Sequence, residues 1–154
     1  MAPTQEIDVR VHTTADPATV HALLLDGSTW PTWSPLSSFE LEAPAPDGTE
    51  GVGALRIFRT RRGPLTITSR ERVVEVVPDR RFSYAALSGL PVRDYRADVD
   101  VEPDPAGGST IRWHSTFRGA FPGAGWWVRR TLAPFIRRSV EGLAAHAAAL
   151  ATTR

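Results

Sequence analysis

One carboxylate and two tyrosines are the polar side chains that could face an apolar interior. Glu71 belongs to the segment 65–77, and Tyr84 and Tyr95 belong to two further segments rich in β-branched and aromatic residues. A carboxyl group enclosed in an apolar site has a raised pKa or takes a hydrogen-bonding partner, which a tyrosine hydroxyl can supply. Such groups could orient an apolar ligand or move a proton on it. A single carboxylate does not define acid/base catalysis, so we assign no catalytic residue.

The sequence lacks the residue patterns of thiolate chemistry, of phosphate-binding loops and of metal sites. The chain has no cysteine, which excludes disulfides and thiolate chemistry. The glycines of 48–53 lead into a strand and not into a helix, unlike a phosphate-binding loop. The histidines are far apart and lack the spacing of metal ligands, so we predict no metal and no cofactor; they are His12, His21, His114 and His146.

The charge balance is close to neutral. Eighteen basic residues, all of them arginine, face 17 acidic ones, which gives a formal net charge of +1. No overall field exists to attract nucleic acid or anionic lipid, so no nucleic-acid partner is expected. The N-terminal residues do not resemble a signal peptide, and no stretch approaches the ~20 apolar residues of a membrane span. We therefore expect a cytoplasmic protein without stable membrane insertion.

Alternating apolar and polar residues predict most of the secondary structure. The length of 154 residues suits a single domain, 1–154. Short turns rich in Gly, Pro and Asp separate most of the alternating segments, which makes sequential strands antiparallel neighbours. The sequence predicts seven strands, at 6–13, 39–43, 54–61, 65–77, 81–87, 92–101 and 109–118.

Three helical segments complete the pattern. Asp16 caps a short helix that begins at Pro17 and ends near Gly27. The two prolines of 28–35 allow only one irregular helical turn. Residues 124–152 carry one long amphipathic helix, which Pro134 should kink or break. This helix alone is long enough to cover the apolar face of the sheet.

The order and spacing of several motifs resemble a known family. These motifs are Trp30–Pro35, Arg70–Val73, Val77–Phe82, Ser88–Val92 and Gly107–Trp113. They resemble the START-like superfamily SRPBCC, in its bacterial polyketide cyclase/dehydrase and lipid-transport branch. The resemblance implies the α+β helix-grip fold, in which a curved seven-stranded antiparallel sheet wraps a long C-terminal helix. It also implies a deep internal pocket for a hydrophobic or aromatic ligand.

The segment 65–77 leaves one choice open. Ile67 and Glu71 share one strand face, whereas Val74 and Val76 share the other. A bulge near Arg72 would reconcile the two sets and point Glu71 into the pocket. A bulge elsewhere would place Arg70 there instead.

Strand parity and the apolar face of the last helix predict the pocket wall. Alternate residues of each strand face inward together, as do residues at helical spacing on the covering helix. Trp33 could close the mouth of the pocket. The predicted ligand-binding residues are Trp33, Ile67, Glu71, Tyr84, Tyr95, Trp113, Phe117, Phe135 and Ser139.

The sequence predicts binding, with possible transport, of a small hydrophobic molecule such as a lipid, a polyketide or an aromatic metabolite. The alternative is an enzyme of the polyketide aromatase/cyclase type that uses polar pocket residues for acid/base chemistry. A ligand-sensing co-regulator is a third reading, without a motif of its own.

Trp126 and Trp127 precede Arg129 and Arg130, a pattern that fits either a membrane-docking helix or a solvated face. We expect a monomer or a homodimer.

Overall fold

A computed structural model of the chain describes residues 2–153. Its single sheet is antiparallel throughout, with the strand order β1-β7-β6-β5-β4-β3-β2, and it curves around the last helix as predicted. The alternating segments became strands with ends within two residues of those predicted. The strands are β1 (Thr4–Thr13), β2 (Ser38–Ala43), β3 (Leu55–Arg62), β4 (Leu65–Val77), β5 (Arg81–Ser88), β6 (Val92–Pro103) and β7 (Ser109–Gly119).

The helices begin where the capping residues predict. Asp16 accepts a hydrogen bond from the Thr19 backbone N–H at 3.0 Å, and α1 (Pro17–Leu25) starts with its proline. A 3₁₀ turn (Gly27–Thr29) and the short helix α2 (Trp30–Trp33) follow. Across the described chain, no helix is long and apolar enough to cross a membrane.

The last helix, α3 (Ala124–Thr152), runs without interruption through Pro134. Of the two predicted effects of this proline, a break is therefore wrong. The apolar face of α3 packs on the concave face of the sheet and joins the core there through Val128, Val140 and Leu143.

One glycine allows α2 and α3 to approach each other closely. A Cβ placed on Gly142 would lie only 1.8 Å from the backbone carbonyl oxygen of Trp33. Any larger residue at this position would collide with backbone atoms, which cannot move aside as a side chain can. This contact fixes the two tryptophans of α2 beneath α3.

A β-bulge decides which side chains of β4 point inward. The pairing of β4 with β5 shifts between Val73 and Glu75, so Val74 is the extra residue of the bulge. Glu71 consequently shares the inner face with Val73, which is buried. Arg70 points outward and pairs with Glu42 at 2.7 Å. The structure thus selects Glu71 over Arg70. The bulge at Val74 lies two residues beyond the predicted position, and the pairing with β5 also shifts between Arg70 and Glu71.

Candidate functional site

A cavity of about 340 Å³ lies between the inner face of the sheet and α3. Its wall is mainly aromatic and aliphatic, with a few polar side chains. The sheet contributes Phe58, Thr60, Arg62, Ile67, Ser69, Glu71, Tyr84, Ala86, Ser88, Tyr95 and Trp113; α3 contributes Trp127, Thr131, Leu132, Phe135, Ile136 and Ser139; Trp30, Leu36 and Leu90 complete the wall.

Most of the predicted site residues come together in this wall. Their role in ligand binding stays a prediction, but their placement around one cavity agrees with the strand parity. The residues that line the cavity are Ile67, Glu71, Tyr84, Tyr95, Trp113, Phe135 and Ser139.

Trp33 and Phe117 are buried but do not reach the cavity wall. The short helix α2 turns Trp33 away from the cavity, and its indole N–H donates to Thr29 Oγ1 at 3.1 Å. Trp30 takes the wall position instead. Phe117 stacks on Tyr95, with ring centroids 5.6 Å apart, and so lies behind the residue that lines the cavity.

Several wall residues were absent from the sequence prediction. Phe58 shares a strand face with Thr60 and Arg62 of β3, so the parity of that strand would have identified it. Trp127 lies four residues before Thr131 on α3, and both line the cavity. That helical spacing was the available signal, although the neighbouring arginines made the start of α3 resemble a solvated face.

Glu71 is the ionisable group of the cavity that titrates near neutral pH. The side chain is half-buried and lines the cavity. Burial raises its pKa to about 8, and the positive charge of Arg56 opposes that rise. At pH 7 the carboxyl is therefore mostly protonated, and it can donate a hydrogen bond to a ligand.

Arg56 is the buried cation nearest in register to Glu71, but its hydrogen bonds go elsewhere. The guanidinium is 1% exposed, donates through Nη1 to Leu24 O at 3.1 Å and through Nη2 to Leu25 O, and lies 3.0 Å from Glu50 Oε1. These carbonyls end α1, where a cation is favourable. Burial lowers the pKa of Arg56, whereas the charge of Glu50 raises it.

The two tyrosines supply neutral hydroxyl groups. The Tyr95 hydroxyl lies 3.0 Å from Ser115 Oγ, and burial raises its pKa to about 12. Burial also raises the pKa of Tyr84 far above its usual value, with a further contribution from Tyr95. Both hydroxyls therefore stay protonated at physiological pH. Neither can act as a base there, but each can donate a hydrogen bond.

Trp113 brings an unused donor to the same region. The side chain is 2% exposed, and among residues 2–153 its indole N–H has no well-aligned hydrogen-bond partner. It is close enough to the Tyr84 hydroxyl to lower the pKa of that group slightly. Buried polar groups are nearly always paired. An unpaired donor beside a cavity therefore indicates a place for a ligand oxygen or for water.

A separate polar cluster lies on the outer face of the sheet. Glu6, Asp8 and His114 offer ligand atoms within 4.8 Å of one another. Arg112 already donates two hydrogen bonds to Asp8, at 3.0 and 2.8 Å, and His114 lies 2.8 Å from Glu6 Oε1. Because their carboxylates are engaged by these partners, we assign no ion to the cluster.

Solved structures share this fold at low sequence identity. A START superfamily protein from Mycobacterium smegmatis superposes with a TM-score of 0.79 at 12% identity, over 94% of this chain and 98% of that one. The di-domain ARO/CYC StfQ from the steffimycin biosynthetic pathway gives 0.78 at 13%, over 97% of this chain and 52% of that one. A norcoclaurine synthase from Thalictrum flavum gives 0.74 at 16%, over 96% of each chain.

At these identities the structural likeness shows the fold alone, that of the START-like superfamily. No match among curated proteins was found. A family model described as polyketide cyclase / dehydrase and lipid transport matches residues 4–148, nearly the whole chain. The chain belongs to the polyketide cyclase/dehydrase and lipid transport family.

Proposed function

We propose that the chain binds a small, mainly apolar organic molecule in the cavity beneath α3. The observation that carries this proposal is the cavity itself, about 340 Å³ of space with an aromatic wall and a few polar groups. Small-molecule sites have this composition, with volumes of about 300–1,000 Å³. The cavity is at the small end of that range, which favours a compact ring system over a lipid with two long acyl chains.

The polar groups of the wall restrict the chemistry of the ligand. Glu71 in its protonated form, the hydroxyl of Tyr84 and the indole N–H of Trp113 are all donors. A ligand oxygen that accepts hydrogen bonds, such as a carbonyl or a phenol oxygen, would satisfy them. An apolar ligand with one such oxygen therefore fits the cavity better than a pure hydrocarbon.

A matched pair of substitutions tests the proposal. Ala86 lines the cavity, whereas its neighbour Ala85 is on the other face of β5. Ala86→Phe should fill the cavity and abolish binding of an uncharged fluorescent apolar probe such as N-phenyl-1-naphthylamine. Ala85→Phe should bind the probe as wild type does. Equal binding by both variants would contradict the proposal.

Native mass spectrometry of protein purified from cells addresses the identity of the ligand. We expect a bound species of small mass that is present in wild type and in Ala85→Phe. The same species should be missing from Ala86→Phe. A ligand that persists in Ala86→Phe would mean that it binds elsewhere.

A second candidate function is an enzyme of the cyclase type. The observation that favours it is Glu71, a carboxyl with a pKa of about 8 in an apolar cavity beside two tyrosines. A group with a pKa near the working pH can give and take a proton efficiently. One similar structure is the ARO/CYC StfQ of a biosynthetic pathway, and another is a synthase.

Conservative variants separate the enzyme from the carrier. If chemistry occurs here, Glu71→Gln and Tyr95→Phe should retain nearly the full affinity for the co-purified ligand or its precursor but lose turnover. Product formation would be followed by mass spectrometry. Unchanged turnover in both variants would exclude these residues as catalysts, whereas absence of any product with the wild-type protein would leave binding as the function.

A further inference from the structure

The antiparallel path brings three connections to one end of the sheet. The β3–β4 turn, the β5–β6 turn and the β7–α3 connection lie there, because β3, β5 and β7 run in the same direction and all end at this end of the sheet. We call residues 61–67, 87–94 and 119–130 the mouth rim. Arg62, Ile67, Leu90 and Trp127 of the rim also line the cavity, and three of them are exposed. The cavity therefore opens toward this end.

The mouth rim concentrates the exposed apolar surface of the protein. Nine large hydrophobic side chains are exposed within residues 2–153, and six of them belong to the rim. Three are aromatic and more than half exposed: Phe121 and Trp126 at 58%, and Trp127 at 55%. Exposed apolar patches of this kind mark interaction sites, and tryptophan prefers the interface between water and lipid. The other three are Leu65, Ile67 and Leu87.

The same rim has a net positive charge. It contains five arginines and one acidic residue, Asp94, so its formal charge is +4. Since the whole chain has a net charge of +1, the remainder carries −3. Arg130 lies over the ring of Trp126, with its guanidinium carbon 5.4 Å from the ring centroid. Cationic and aromatic side chains are thus combined on one surface.

We propose that the mouth rim docks on an anionic lipid bilayer and holds the cavity opening against the headgroups. The rim fits this partner because exposed tryptophan and phenylalanine side chains can enter the interface while adjacent arginines contact acidic headgroups. Docking is peripheral, since no described helix can span the bilayer. The inference deepens the proposed function by naming the surface at which a ligand enters or leaves the cavity.

Vesicle co-sedimentation of the full chain tests the docking. Vesicles of phosphatidylcholine alone are compared with vesicles of equal parts phosphatidylcholine and phosphatidylglycerol, at low and at high salt. We expect binding to the anionic vesicles, weak binding to the neutral ones, and loss of binding at high salt because the charges are screened. Absence of binding to anionic vesicles at low salt would overturn the proposal, as would equal binding to both kinds.

Rim variants locate the contact. Arg61→Ser with Arg130→Ser should weaken partitioning roughly fivefold for each arginine removed. Phe121→Ser with Trp126→Ser, made separately in the wild-type chain, should remove most of the binding to anionic vesicles. The control is Val52→Ser with Arg80→Ser, exposed residues at the opposite end of the sheet, which should bind as wild type does. Equal loss in the control and rim variants would contradict docking through the rim.

None of the four rim residues changed in these variants lines the cavity. Probe binding in solution should therefore stay at the wild-type level in both rim variants. A chain that binds the probe but no vesicle would overturn docking and leave the proposed function standing. Self-association that disappears in Phe121→Ser with Trp126→Ser, without vesicle binding, would assign the rim to a second copy of the chain and also overturn the proposal.

Discussion

Arg56 and Glu71 lie directly opposite each other in the register of β3 and β4. Such cross-strand neighbours commonly form ion pairs. Here the hydrogen bonds of Arg56 go to Leu24 O and Leu25 O, and its ion pair is with Glu50. The positive charge of Arg56 lowers the pKa of Glu71, but burial raises that pKa by more. The pairing therefore leaves a protonated carboxyl available inside the cavity.

Glu71 should make the protein less stable as the pH rises. Its pKa is about 8 in the folded chain against an ordinary value of 4.5, so the folded state holds the proton more tightly. The stability that this proton contributes is fully present below pH 4.5, is lost progressively as the pH rises from there toward 8, and is absent well above pH 8. The slope is at most about 1.4 kcal/mol per pH unit.

Glu71→Gln should remove this pH dependence, because glutamine has the same shape and does not titrate. We expect the variant to be more stable than wild type at pH 9 by about 2–4 kcal/mol and similar to it at pH 5. Urea unfolding at the two pH values measures the difference. If the free energy of unfolding changed equally in the two proteins between pH 5 and pH 9, the carboxyl would not be held in an apolar site.

Arg56→Met should destabilise the chain by about 3 kcal/mol. It removes two hydrogen bonds to the end of α1 and leaves Glu50 without its cationic partner. The pKa of Glu71 should rise further, because the positive charge that lowers it is gone. Urea unfolding and a carbon-13 titration of the Glu71 carboxyl measure the two effects.

Arg59→Met is the matched control for Arg56→Met. Arg59 belongs to the same strand and pairs with Glu40 at 3.2 Å, but both side chains are exposed. Exposed pairs contribute less than about 1 kcal/mol. A similar loss of stability in the two variants, or an unchanged Glu71 titration in Arg56→Met, would show that Arg56 does not act as described.

Tyr95→Phe should cost about 1–2 kcal/mol, because it leaves the buried Ser115 hydroxyl without its partner. Tyr84→Phe is the control: Tyr84 and its neighbour Trp113 line the cavity, where water can replace the lost hydroxyl, whereas Ser115 does not, so removal of the Tyr84 hydroxyl should cost less. Chemical denaturation of the two variants gives the comparison. A larger loss in Tyr84→Phe would reverse the assignment of the stabilising hydroxyl.

The sheet and the long helix could be predicted from local sequence patterns. Alternation with a period of two identified each strand, and helical spacing gave the bounds of α3, because each pattern records which face meets the core. Pro134 is tolerated within α3, so the helix did not end there.

The cavity wall depends on contacts that no local pattern contains. The inward position of Glu71 follows from the bulge at Val74, which is a property of the pairing between β4 and β5. Trp30 and Trp33 lie in one four-residue helix, and only the packing of α2 under α3 decides which of them reaches the cavity. Both facts required the tertiary structure.

That packing gives the last prediction. Replacing glycine by alanine inside a helix ordinarily stabilises it by about 1 kcal/mol. At Gly142 the added Cβ would meet the carbonyl oxygen of Trp33, so α3 must move away from α2. We expect Gly142→Ala to lose about 1–3 kcal/mol despite its better helix propensity, and to change the near-ultraviolet circular dichroism of the buried tryptophans.

Ala145→Gly on the exposed side of α3 isolates the propensity effect. It should lose about 1 kcal/mol and leave the tryptophan signal unchanged. The two substitutions act in opposite directions on helix propensity, so destabilisation by both is explained only if Gly142 is held against Trp33. A rise in melting temperature for Gly142→Ala would show that the two helices are not in close contact, and Trp30 would then lose the support that holds it at the cavity wall.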